Sequence, residues 1–244
     1  MHETELWITG IFNQYLAGIA NTILDMVGVA HDAAKPWANF VVVELIVALF
    51  IVILFAMLRT RLSVDNPGKL QHSFELIYNF IHDESEDQVG HDGPKYAAFF
   101  GTLFVFILFM NLIGIIPGME SPTMSPSVPL GCAAATFLYY NLMGIQANGV
   151  GKYLAHFAGP MPLLAPLMVP IELISHLARP LSLTIRLFAN MYAGEQVTMV
   201  FLSLTYFLVP AVFMGLHVFV SLLQAYIFML LTMMYVAGAV AHEH

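Results

Sequence analysis

Arg179, Arg186 and Glu195 all lie within the stretch RPLSLTIRLFANMYAGE, and Glu172 stands just before it, in sequence otherwise dominated by leucine, isoleucine, phenylalanine and alanine. A second apolar stretch, HVFVSLLQAYIFMLLTMMY, carries His217, Ser221, Gln224 and Tyr235. Ionisable groups in such surroundings are costly unless paired or wetted, so each is a functional candidate. A carboxylate and an imidazole can pass protons, whereas arginine keeps its charge where lysine would lose it. The chemistry these types suit is proton carriage past a fixed positive charge.

Helical periodicity sorts these residues into faces. Glu172, Arg179 and Arg186 recur at sevens and form one stripe, with Ser182 and Asn190 flanking Arg186 one turn either way. Glu195 points to the opposite side by the same periodicity. His217, Ser221 and Gln224 form a polar stripe of their own. An antiparallel fold about Tyr206 brings Glu195 level with His217, and Arg186 level with Tyr226, within a turn of Gln224. Two clusters are therefore expected: Glu195 with His217, and Arg186 with Asn190 and Gln224. Asn190 and Ser221 also fit the simpler role of interhelical hydrogen-bonding residues, and His176 and His242 fit an interfacial one.

The elements that must hold these groups are membrane helices. Of 244 residues, 59% are hydrophobic and 10% charged, against about 25% charged in an average soluble domain. Mean hydropathy is +0.79. A net charge of −8 excludes a nucleic-acid partner, and the single Cys132 excludes a disulfide framework or thiolate metal site. Residues 40–58, 96–116 and 129–145 read as spans, the first carrying Glu44. Residues 67–87 place Leu70, Phe74, Ile77 and Ile81 at helical spacing, as in an amphipathic interfacial helix; a loop containing one helix is the rival reading. Residues 1–35 read as a surface segment, retained because no basic signal-peptide region opens it.

The apolar runs 161–209 and 211–241 would measure roughly 73 and 46 Å as helices, against a hydrocarbon core of about 30 Å. They break at Pro162, Pro166, Pro170 or Pro180, or they tilt. A steeply tilted helical hairpin over 161–241, turning at 206–210, is the favoured reading. The fold class expected is thus an all-α integral membrane protein, one membrane domain over 1–244, with upright spans, an interfacial helix and the tilted hairpin. Arg59, Arg61, Lys69, Lys95 and Lys152 fall on one side and Lys35 on the other. The positive-inside rule then puts the N-terminus outside and the C-terminus in the cytoplasm.

PLSLTIRLFANMYAGE followed by HVFVSLLQAYIFMLLTMMY, with MNLIGIIPG in the second span and the EH ending, closely resembles subunit a of F-type ATP synthases. The likeness is strongest from Pro170 onward, and the span order agrees from about residue 40. It implies a membrane stator with two offset half-channels serving a ring of c subunits, each with an ion-binding carboxylate. It also implies b-type peripheral stalk and other ATP synthase subunits as partners, a lipid bilayer, protons as the cargo, and a bacterial inner membrane. Arg186 matches the required arginine. Glu195, His217, Asn190 and Gln224 match the outer proton path, and Glu172 and Ser175 the cytoplasmic one. Arg179, Ser182, Ser221 and Tyr235 are placed as supporting residues. Gly114 stands where some members carry an acid, and Glu44 is a candidate to replace it.

No cofactor or metal is expected, and no GxxxxGK[ST] phosphate loop occurs, so no directly bound nucleotide is expected. The chain is read as non-catalytic on its own. A secondary ion-coupled transporter is the main rival, but it would show paired repeats with broken helices, and the Arg186 segment has no second copy. A structural anchor and a sodium-coupled form of the same subunit are lesser rivals.

Overall fold

The computed structural model describes residues 5–28, 32–60, 62–63, 68–116, 118–156, 165–204 and 208–241. Arg61, Pro162, Tyr206 and His242 lie outside the described residues. Within them are eight α-helices and three short 3-10 turns, and no strand. The helices are α1 (Trp7–Tyr15), α2 (Ala17–Val27), α3 (Asn39–Thr60), α4 (Lys69–Val89), α5 (Ala97–Leu112), α6 (Ser127–His156), α7 (Ala165–Leu204) and α8 (Leu208–Val240). The chain is an all-α membrane protein. Hydrocarbon offers backbone groups no partners, so an apolar run of this length must satisfy its amides within a helix.

Four stretches are long and apolar enough to cross a membrane: Asn39–Thr60, Gly93–Ile115, Ser127–Tyr153 and Ala211–Val240. Only 17% of the first is buried within the protein against 39% of the second and third, so α3 stands at the edge of the bundle. The core is formed by α5, α6, α7 and α8. It is built from Phe100, Ile107 and Met110, Tyr140, Leu183, Leu187 and Met191, and Met229 and Met233. Between helices surrounded by lipid, close packing and interhelical hydrogen bonds hold such a core, because lipid tails are as apolar as the side chains. Asn111 Nδ2 accordingly donates to the Ser221 carbonyl (3.3 Å), and Asn148 Nδ2 to that of Ala239 (3.1 Å).

Several boundaries differ from those expected. The third span does not end at 145: α6 runs to His156, bending at Gly149, whose φ of 76° and ψ of 155° only glycine adopts without strain. α7 passes through Pro170 and Pro180 as one 40-residue helix, so neither proline breaks it. Of the expected turn at 206–210, Leu208–Pro210 already belong to α8. On α4, Ile77 and Ile81 pack on the core and Phe74 meets Phe55 at 5.4 Å. Leu70, at the start of the same stripe, is left 67% exposed.

The N-terminal segment forms two helices, interrupted at Leu16 (φ −118°, ψ 9°). Asn13 and Trp37, and Leu6 N–H and Asn39 Oδ1, tie it to the start of α3. Lys35 Nζ lies 2.5 Å from Glu5 Oε2. This hydrogen bond draws the Glu5 carboxyl below its ordinary value and raises the Lys35 ammonium above its own.

Candidate functional site

The register between α7 and α8 positions the ionisable groups. Ser221 Oγ faces Met191 Sδ at 4.0 Å. A side chain on Gly194 would meet His217 Nδ1 at 3.2 Å. Glu195 and His217 therefore sit at one level, the pairing the spacing about Tyr206 predicts. Both are buried, with 8% and 7% of their surface exposed. His217 Nε2 is buried with no hydrogen bond among the described residues. An open cleft of about 250 Å³ reaches it, lined by Asn190, Gly194, Thr198, Phe213, His217 and Val220. A cleft of that size holds several waters.

The loop between α5 and α6 closes over this cluster. Ser121 Oγ donates to the Met110 carbonyl (2.8 Å), and Thr123 Oγ1 to Asn111 Oδ1 (2.8 Å). A Cβ on Gly114 would lie 3.0 Å from Ser121 Cβ and 3.4 Å from Glu195 Oε2. Glycine at 114 is thus what lets the loop and the Glu195 carboxylate approach. The Glu120 carboxylate, carried by the same loop, stands close enough to Glu195 to act on it. Glu44 is half-buried on α3, with Cys132 of α6 in its field.

At the other end of α7 a second cluster forms. Arg179 Nη2 lies 3.9 Å from Glu172 Oε1, and its guanidinium stacks over the Tyr235 ring at 5.2 Å. His176 is buried rather than interfacial. Its Nε2 is 3.0 Å from Asn141 Oδ1, and the Tyr140 hydroxyl lies 3.3 Å from it. Ser175 and Ser182 are exposed.

Arg186 lies between these clusters on the rim of the bundle, half-exposed, with Ser182 Oγ at 3.5 Å. The expected grouping of Arg186 with Asn190 and Gln224 does not form by direct hydrogen bonds among the described residues. Asn190 is exposed and turns into the His217 cleft, whereas Gln224 is buried. Around Arg186 the outward face of α7 is mostly apolar, with Ile174, Leu181, Ile185 and Tyr192 exposed beside the polar Ser182 and Asn190. Large exposed apolar faces mark contact with lipid or another protein.

Residues 41–237 match the family described as ATP synthase A chain. The chain is 72% identical to ATP synthase subunit a of Solibacter usitatus (strain Ellin6076) over 234 residues, covering 96% of this chain and all of that protein. It is 48% identical to ATP synthase subunit a of Koribacter versatilis (strain Ellin345), covering 98% of each. It is 40% identical to the subunit a of Sulfurihydrogenibium sp. (strain YO3AOP1), covering 84% of this chain and 98% of that one. The chain belongs to the ATP synthase subunit a family.

Two features of this chain were not visible in the sequence. Glu120 sits in a proline-rich loop whose position over Glu195 depends on how that loop folds back. The partners of His176, Tyr140 and Asn141, come from α6, and Tyr153, which bonds Asn141, lies beyond the expected end of the span.

Proposed function

We propose that this chain is the proton-translocating stator subunit of the ATP synthase membrane sector, with no catalytic activity of its own. It lies against a ring of c subunits, is held by b-type peripheral stalk subunits, and sits in a bacterial inner membrane with its N-terminus outside. The observation that carries this reading is the setting of Arg186. It is half-exposed on an apolar face, has no carboxylate within ion-pair distance among the described residues, and lies between two acid clusters. Along α7 it stands about 13 Å from Glu195 and about 21 Å from Glu172.

Protons enter from outside through the cleft lined by Asn190 and His217 and pass to Glu195, with Glu120 as a further acid near it and Gln224 and Ser221 on the way toward Arg186. A c-subunit carboxylate takes the proton there, travels round the ring, and releases it on the side of Glu172 and Ser175. Arg186 drives the release, because a fixed positive charge favours the ionised form of the carboxylate that reaches it. The same charge bars direct passage between the two openings, and arginine does this without losing its proton. α7 and α8 are about 60 and 50 Å long, too long to stand upright in a core of about 30 Å. They lie tilted, and so keep the two openings apart along the rotor surface.

The test is Arg186→Ala in the intact complex, reconstituted in sodium-free vesicles. The variant is expected to assemble and to lose ATP-driven acidification completely. Normal acidification by an assembled variant refutes the mechanism, and ATP-driven sodium uptake by the unmodified complex, with acidification suppressed when sodium is added, refutes the choice of ion.

A further inference from the structure

The half-channel reading leaves the buried imidazole of His176 unused. His176 projects from α7 into the bundle, 7% exposed, toward α6 rather than toward the rotor face. Its partners are specified closely enough to locate a proton. Asn141 Nδ2 donates to the Phe137 carbonyl one turn earlier on α6 (2.6 Å). That contact orients the amide, so Asn141 Oδ1 faces inward as an acceptor. The Tyr153 hydroxyl donates to Oδ1 at 2.8 Å. His176 Nε2 meets the same oxygen at 3.0 Å, and two groups can share it only if both donate. Nε2 therefore carries a proton. The Tyr140 hydroxyl lies within 3.3 to 3.4 Å of the ring nitrogens.

The backbone is shaped to allow this. In a straight helix Asn141 and Tyr153 would be about 18 Å apart. The bend at Gly149 turns the chain back, and Gly144 leaves room for the returning ring. A Cβ at 144 would lie 2.6 Å from Tyr153 Cε2 and 2.9 Å from the Ala239 carbonyl oxygen. Two glycines, two tyrosines, an asparagine and a histidine thus converge on one contact between α6 and α7.

Glu172, His176 and Arg179 stand one turn apart in succession, so the setting of His176 governs the other two. With His176 turned inward, Arg179 lies over Tyr235 and reaches Glu172. Ile174, Leu181 and Ile185 then face outward, with Arg186 at the rim. We propose that His176 is a positioning residue: bonded through Asn141 to Tyr153, it locks α7 to α6 and fixes the rotational setting at which Glu172, Arg179 and Tyr235 meet. The consequence for pumping rests on the half-channel reading, but the lock itself does not.

The experiment uses the intact complex in lipid vesicles and two readouts. First, ¹⁵N spectra of histidine-labelled complex, with the His176 signal identified by its loss in His176→Gln, are expected to show Nε2 protonated and to shift in Asn141→Leu. An unprotonated Nε2, or a signal indifferent to Asn141→Leu, overturns the proposal. Second, His176→Gln, whose amide can still donate to Asn141, is expected to keep most of the ATP-driven acidification. His176→Leu loses most of it, and the double variant with Asn141→Leu is no worse than the poorer single. Equal damage from Gln and Leu, or losses that multiply in the double variant, overturns the lock. Should His176→Leu fail to assemble, Tyr153→Phe removes a single hydroxyl, and an unmoved His176 signal in that variant is equally decisive against it. If Arg186→Ala pumps normally, the half-channel reading falls and the ¹⁵N signal still decides the lock.

Discussion

At the Glu195 end of the α7–α8 hairpin, His217 Nε2 is buried without a hydrogen bond among the described residues, and His217 lines a cleft of about 250 Å³. At the Glu172 end the buried imidazole of His176 is bonded to Asn141, the asparagine to Tyr153, and Arg179 is both ion-paired and stacked. The two buried histidines are in opposite states. A group meant to exchange protons must keep a lone pair free and reach water, whereas a fully satisfied network holds one geometry. The contrast teaches that burial of an ionisable residue does not by itself mark a proton path. On the proposed function, its unused hydrogen-bonding capacity and a route to solvent do.

The sharpest way to break this contrast is to neutralise an acid at each end. Glu195→Gln is expected to lower ATP-driven acidification about 100-fold, the scale of a lost proton-transfer group. Glu172→Gln is expected to cost less than about tenfold, because the tightly bonded network around it survives. Comparable losses in the two variants, measured at equal assembly, would erase the distinction.

Packing offers the next contrast. Gly144→Ala pushes a methyl group against Tyr153 and the Ala239 backbone, and should destabilise the protein by about 1–3 kcal/mol. Gly194→Ala meets only the movable His217 ring at 3.2 Å, and should cost less. Thermal unfolding in detergent ranks the two, and a Gly194→Ala variant less stable than Gly144→Ala would contradict the view of a looser Glu195 end. Tyr235→Leu removes the surface beneath Arg179 and is expected to cost about 0.5–1 kcal/mol, read in the same way.

The smallest effect is expected away from both ends. Lys35→Ala breaks an exposed ion pair and should leave assembly and pumping unchanged. The pair's contribution has a clear sign with pH. The lowered Glu5 carboxyl contributes above its ordinary range, and that contribution fades as pH falls through its lowered value. The raised Lys35 contributes below its ordinary range and fades as pH rises through its raised value. Proteolytic accessibility of residues 5–28 should therefore be flat across neutral pH.

Much of this molecule is written in local pattern. Apolar run lengths place the spans, and the seven-residue recurrence of Glu172, Arg179 and Arg186 puts them on one side of α7. Equal spacing of Glu195 and His217 from Tyr206 gives their register, since two antiparallel helices with a short turn leave little freedom in pairing. Periodicity could not show that Asn190 turns into the His217 cleft instead of joining Arg186 and Gln224, because it gives the direction of a side chain but not the reach of its neighbours. Nor could it show Glu120 at Glu195 or Tyr153 at Asn141. Those meetings depend on a loop folding back over Gly114 and on a bend at Gly149, where the absence of a side chain matters only through what approaches it. Sequence alone thus determined the class of fold, the helices and the residue types available for proton carriage, because hydrophobicity and helical period act within a segment. Tertiary structure decided which of those residues are left open to exchange protons and which are bonded into place, because hydrogen-bond satisfaction depends on partners from distant segments.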